Sequence, residues 1–215
     1  MTNAAASFEI VFADEHLLVL DKPPGLLSVP GKGDDKQDCL SSRVQKSYPD
    51  ALVVHRLDMA TSGLMMMARS AAMQAALSRL FETRKIYKRY EAVINGRLLP
   101  SLEWQLIDLP IAVDWPNRPL RIVHPDGKPS QTRWRALTYN ADANTTRVEL
   151  EPITGRSHQL RVHLKAQGHS IVGDALYAPA DVHAKASRLL LHACTLHFVN
   201  PLTGNNMVFE NAPAF

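Results

Sequence analysis

Apolar positions along this chain come in short runs broken by turn residues. Phe8–Phe12 and Leu17–Leu20 are two such runs around the polar turn Ala13-Asp14-Glu15-His16, a pattern that predicts a β-hairpin. Lys22-Pro23-Pro24-Gly25 breaks the second strand, and the polar stretch Lys32–Asp38 predicts an exposed loop. Leu40, Val44 and Tyr48 recur at i, i+4 and i+8, the mark of a short helix that Pro49 stops. Leu64–Ala68 is continuously apolar and reads as a buried strand, after which Ser70 caps a helix with Met73, Leu77, Leu80 and Phe81 on one side.

The second half is read in the same way. Ile86–Ile94 alternates, with Ile86, Lys88, Tyr90, Ala92 and Ile94 on one face, which predicts a largely buried ring for Tyr90 with a hydroxyl that seeks a partner. The prolines of residues 98–120 predict a long loop with one short strand. Thr132–Tyr139 and Thr146–Leu150 form a strand pair, a helix follows over His158–Gln167, and Leu189–Phe198 with Met207–Glu210 make a closing hairpin. Many strands with three helices, no repeat and no linker predict a single α+β domain on a mixed, mainly antiparallel sheet.

Composition narrows the class. At 215 residues, 46% hydrophobic and 21% charged, the chain can bury a core, which excludes disorder. Net charge is only +3, yet residues 79–97 carry six Lys or Arg against two acids and 118–165 carry nine against four. Such clustering suits a polyanion, nucleic acid first; a solvated surface stands beside it. The two cysteines are too few for a disulfide framework or a zinc site, and Met1–Glu9 has neither the basic start nor the apolar core of a signal peptide. A reduced, cytoplasmic protein with no membrane segment is the expectation. No His-x-x-x-His, acidic cluster, phosphate loop or nucleophile elbow occurs, so neither a metal nor a cofactor is expected.

The candidate chemistry centres on His55-Arg56-Leu57-Asp58-Met59-Ala60-Thr61-Ser62-Gly63. An extended segment places Arg56 and Asp58 on one face, where a guanidinium two residues away keeps a carboxylate ionised and held. Asp before Thr-Ser-Gly is also ordinary turn chemistry, and the spacing alone leaves both open. On the second helix of interest His158, Arg161 and Lys165 share a side, either a basic surface or a seat for a phosphate or carboxylate.

These stretches resemble the RluA family of pseudouridine synthases. His55–Gly63 resembles that family's active-site motif, Lys88-Arg89-Tyr90 its Lys-x-Tyr motif, Gly155–His163 its third motif, and Lys22-Pro23-Pro24-Gly25 a structural element beside the site. The resemblance implies the pseudouridine synthase catalytic fold over residues 1–215, without the S4-like domain that several members carry. It implies cofactor-free conversion of uridine to pseudouridine in stem-loops of 23S ribosomal RNA and of the tRNA anticodon loop, by a monomer needing no protein partner. Asp58 would act at the ribose, Arg161 would pair with it, and Tyr90 would lie over the base. Arg56, His55, Arg133, Arg156 and His158 would contact RNA. A family member acting on tRNA alone, a base-excising N-glycosidase and a non-catalytic RNA-binding protein are the alternatives.

Overall fold

A computed structural model describes residues 8–215. The residues read for a signal peptide lie outside it except for Phe8 and Glu9. In chain order the elements are β1 (Glu9–Ala13), β2 (Leu17–Lys22), α1 (Leu40–Val44), β3 (Leu52–Val53), β4 (Ser62–Ala68), α2 (Ala71–Glu82), β5 (Tyr87–Asn95), β6 (Gln105–Asp108), β7 (Ile111–Val113), β8 (Arg121–Val123), β9 (Gln131–Asn140), β10 (Thr145–Pro152), α3 (Gln159–Ala166), α4 (Ala180–His183), β11 (Leu191–Val199) and β12 (Asn206–Glu210). The fold is α+β, as the pattern predicts. The chain divides into two compact units, one made of the described residues up to Tyr87 with His192–Ala214, the other of Lys88–Leu191 with Phe215.

In the first unit β4 is the central strand. It runs antiparallel to β2 and, at its far end, to β3, whereas β11 joins it in parallel through His192–Ser62 and Ala193–Gly63. Every residue of β4 is buried, which is why the run Leu64–Ala68 shows no alternation. Leu64, Met66 and Ala68 pack with Met73 and Leu77 of α2, Leu17 and Val19 of β2, and Leu196 and Phe198 of β11. Ser70 caps α2 by accepting a hydrogen bond from Met73 N–H, as expected.

In the second unit β10 is the centre of an antiparallel sheet, with β5 on one side and β9 on the other, and β6 beyond β9. On one face Ala92, Ile94, Val148 and Leu150 are buried. The other face carries cross-strand ion pairs, Arg89 and Arg135 to Glu149, Arg133 to Glu151 and Arg147 to Glu91. Three of the nine positive charges in residues 118–165, Arg133, Arg135 and Arg147, are therefore matched by Glu one strand away, a pairing that a count along the chain cannot register.

Residues 98–120 depart from expectation. They hold β6 and β7, and β7 forms a separate two-stranded ribbon with β8. The prolines do not interrupt these strands, because Pro110, Pro116 and Pro119 all fall in the breaks between them. The fourth helix, α4, was also unforeseen, since four residues are too few to show a hydrophobic period. No helix is long and apolar enough to cross a membrane among the described residues.

Candidate active site

Asp58 closes an extended segment and opens a turn, with Thr61 N–H donating to its carbonyl oxygen at 3.1 Å. The backbone on either side is held from beneath. Ser28 brackets Leu57, its Oγ accepting from Leu57 N–H at 3.1 Å and donating to Leu57 C=O at 2.7 Å. Lys22, fully buried, donates from Nζ to the carbonyls of Pro23 and Leu26 at 2.8 Å and of Met59 at 3.0 Å. Met59 C=O also accepts from Gly25 N–H at 2.8 Å. A buried ammonium is tolerated only where oxygens replace its water, and here those oxygens tie the Lys-Pro-Pro-Gly loop to the Asp58 turn.

Past the turn, Gly63 takes φ +109°, and a Cβ there would lie 2.4 Å from Ala193 C=O. Only glycine lets β4 enter its parallel pairing with β11 directly after the turn. Ser62 Oγ bonds His192 Nδ1 at 2.8 Å on the same strand pair. His55 Nε2 accepts from Met66 N–H at 3.0 Å, and its ring lies 4.6 Å from that of Phe81. Asp58 is half-buried, and the backbone on either side of it is fixed.

Arg161, the second charged candidate, is only 4% exposed, on the buried side of α3. Its Nε and Nη2 donate to the two oxygens of Asp174 at 2.8 and 2.7 Å, a bidentate pair. Asp174, 1% exposed, also accepts from Leu176 and Tyr177 N–H. The guanidinium stands 5.0 Å from the centroid of the Tyr177 ring. Tyr177 Oη accepts from Arg121 N–H at 2.9 Å and lies 2.6 Å from His158 Nδ1, which fits a phenol donating to the histidine.

Behind Arg161 runs a second polar chain. Gln159 Oε1 accepts from Thr154 Oγ1 and Arg156 N–H, and its amide donates to Gln131 C=O and Thr132 Oγ1. Thr132 reaches His163 Nδ1 at 2.9 Å, and His163 Nε2 donates to Leu109 C=O at 3.0 Å. Burial pushes the His163 pKa below its ordinary value, opposed in part by the bond to Leu109 and by the Asp108 carboxylate. The ring is neutral and structural.

Two expectations need correction. Arg56 is exposed and makes no ion pair among the described residues, so the two-residue spacing does not pair it with Asp58. Tyr90 is half-buried on β5, in keeping with a ring largely out of solvent. His158, Arg161 and Lys165 do not share one exposed stripe. His158 precedes the helix with φ +58°, Arg161 is buried and Lys165 exposed. Arg133 is paired with Glu151 and stands over the Trp104 ring at 5.0 Å. Arg156 is exposed, with a long contact to Pro129 C=O. Asp174, Tyr177 and Ser28 were missed altogether, since each is a lone polar residue whose partner is distant in sequence.

The comparisons with known proteins agree with one another. Residues 16–166 match the RNA pseudouridylate synthase family. The dual-specificity RNA pseudouridine synthase RluA of Escherichia coli K12 is 49% identical over 206 residues, 95% of this chain and 92% of its own. The protein of the same name from Vibrio vulnificus is 48% identical over 197 residues, 90% of this chain and 78% of its own. Human RNA pseudouridylate synthase domain containing 1 superposes with a TM-score of 0.82 at 26% identity, over 100% of this chain and 87% of that one. The chain therefore belongs to the RNA pseudouridylate synthase family, among its RluA-type members, and is an RNA-modifying isomerase.

Proposed function

We propose that the protein converts uridines in stem-loops of both 23S ribosomal RNA and tRNA, the anticodon loop included, to pseudouridine without a cofactor, and that Asp58 carries the chemistry at the ribose. The observation behind this is the half-buried Asp58 in a turn held by Lys22, Ser28 and Gly63. The dual-specificity relatives support the choice of two RNA classes.

The reaction requires that the target base leave the stack. Asp58 then attacks C1′ or removes the C2′ proton as the bond to N1 breaks, and the freed uracil turns and rejoins through C5. Arg161, locked in orientation by Asp174, supplies a fixed positive charge for the step. Tyr90, half-buried, has a ring to stack on the base and a hydroxyl to assist loss of the C5 proton. Exposed Arg56 can fill the gap left by the everted base, and Arg156, Arg133, His55 and His158 complete the RNA contacts. The protein works as a monomer in the cytoplasm.

Mapping pseudouridine in both RNA classes from cells with the protein, without it, and with Asp58→Asn tests this reading. Sites in both classes should disappear in the deletion and stay absent in the variant, while the variant still binds RNA. Loss in tRNA alone would favour a narrower substrate range; release of free uracil would mean base excision; unchanged RNA would end the enzymatic reading.

A further inference from the structure

We propose that the tip of the β7–β8 ribbon, Trp115 with Arg118 stacked on it, is a platform for an unpaired base that flanks the reacting uridine in the RNA loop. This rests on the reading of the chain as a synthase that opens RNA loops.

Trp115 is 65% exposed, and the Arg118 guanidinium stands 3.6 Å from its ring centroid. Arg118 makes no ion pair among the described residues, so no carboxylate in direct contact cancels its charge. The one acid of the segment, Asp114, has both carboxylate oxygens on the Asn117 amide at 3.1 and 3.0 Å. Backbone bonds from Asn117 N–H to Asp114 C=O, from Leu120 N–H to Asn117 C=O, and from Asp114 N–H to Leu120 C=O close the loop on itself. The indole is thus presented by an ordered turn, with a cation on one face.

The base of the ribbon is anchored on the helix that carries Arg161. Ile111 and Leu120 pack with Val162 and Tyr177, and Arg121 N–H donates to Tyr177 Oη. A single layer of side chains thus joins the base of the ribbon to Val162, the neighbour of Arg161 in sequence. Flipping one uridine also deprives the adjacent loop bases of a stacking partner. A flat aromatic face backed by a guanidinium supplies one, whatever the identity of the base.

The test uses the full-length protein and a synthetic RNA stem-loop with a uridine in its single-stranded loop, alongside a fully paired duplex of the same stem. Trp115→Ala should raise Kd and KM for the stem-loop about 5- to 100-fold, with a much smaller change in kcat, and Trp115→Phe should recover most of the loss. Duplex binding should change little, because no charge is removed. Stem-loop RNA should also quench the indole emission of the wild type, and Trp115→Phe should abolish the quench. Equal affinity and KM for Trp115→Ala and wild type would overturn the platform, as would equal losses on stem-loop and duplex. A wild type that forms no pseudouridine in any RNA would instead overturn the underlying functional reading. Thermal melts of the variants confirm folding, which substitution of a side chain this exposed should leave in place.

Discussion

The segments around Asp58 and Arg161 are both rigid, for opposite reasons. Asp58 is held through backbone: the carbonyls of Leu57 and Met59 and the N–H of Leu57 are gripped by Ser28, Lys22 and Gly25, and Gly63 lets the strand follow at once. Arg161 is held through its own side chain, by a buried carboxylate that two backbone N–H groups keep in place. The first arrangement holds its turn by bonds that do not use the Asp58 side chain. The second makes the Arg161 guanidinium itself part of the core, so a change there acts on stability.

Asp58→Asn tests the first half of that contrast and should have the largest effect on activity. Turnover should fall to the background of the assay while the denaturant midpoint moves by the equivalent of less than about 1 kcal/mol. Equal loss of stability would show that the carboxylate is itself structural. Asp174→Ala should have the largest effect on the fold, roughly 3–5 kcal/mol by urea denaturation, because it leaves the Arg161 charge buried with its chief partner removed. A loss below about 1 kcal/mol would mean that water or another acid reaches the guanidinium.

Gly63→Ala should cost about 1–3 kcal/mol, since the new Cβ meets the Ala193 backbone at a φ that alanine avoids. It should lower kcat as well, because the Asp58 turn is displaced with β4. The smallest effect concerns pH. His163 binds its proton less readily when folded than when unfolded, so the unfolded state takes up protons first as pH falls through 6.5. Stability should decline below that pH, and His163→Gln should flatten the decline; an unchanged slope would assign it to other groups.

Much of this was readable along the chain. The β1–β2 hairpin, the Ser70 cap, the apolar strand behind Gly63 and the β9–β10 and β11–β12 pairs all follow from local periodicity and turn chemistry, which act over a few residues. The stretch between residues 98 and 120 was misread because proline density was weighed without its placement at strand ends.

The chain by itself determined the secondary structure that local forces decide, the aspartate turn, and, through its motifs, the kind of chemistry to expect. Tertiary structure alone decided which charges are spoken for. Arg133, Arg135 and Arg147 meet glutamates across strands, and Arg161 meets an aspartate thirteen residues on, beyond its own helix. Arg56, two residues from Asp58, makes no ion pair among the described residues. Electrostatic partnership depends on distance in space and on burial, and neither is carried by sequence spacing once the chain has folded back on itself.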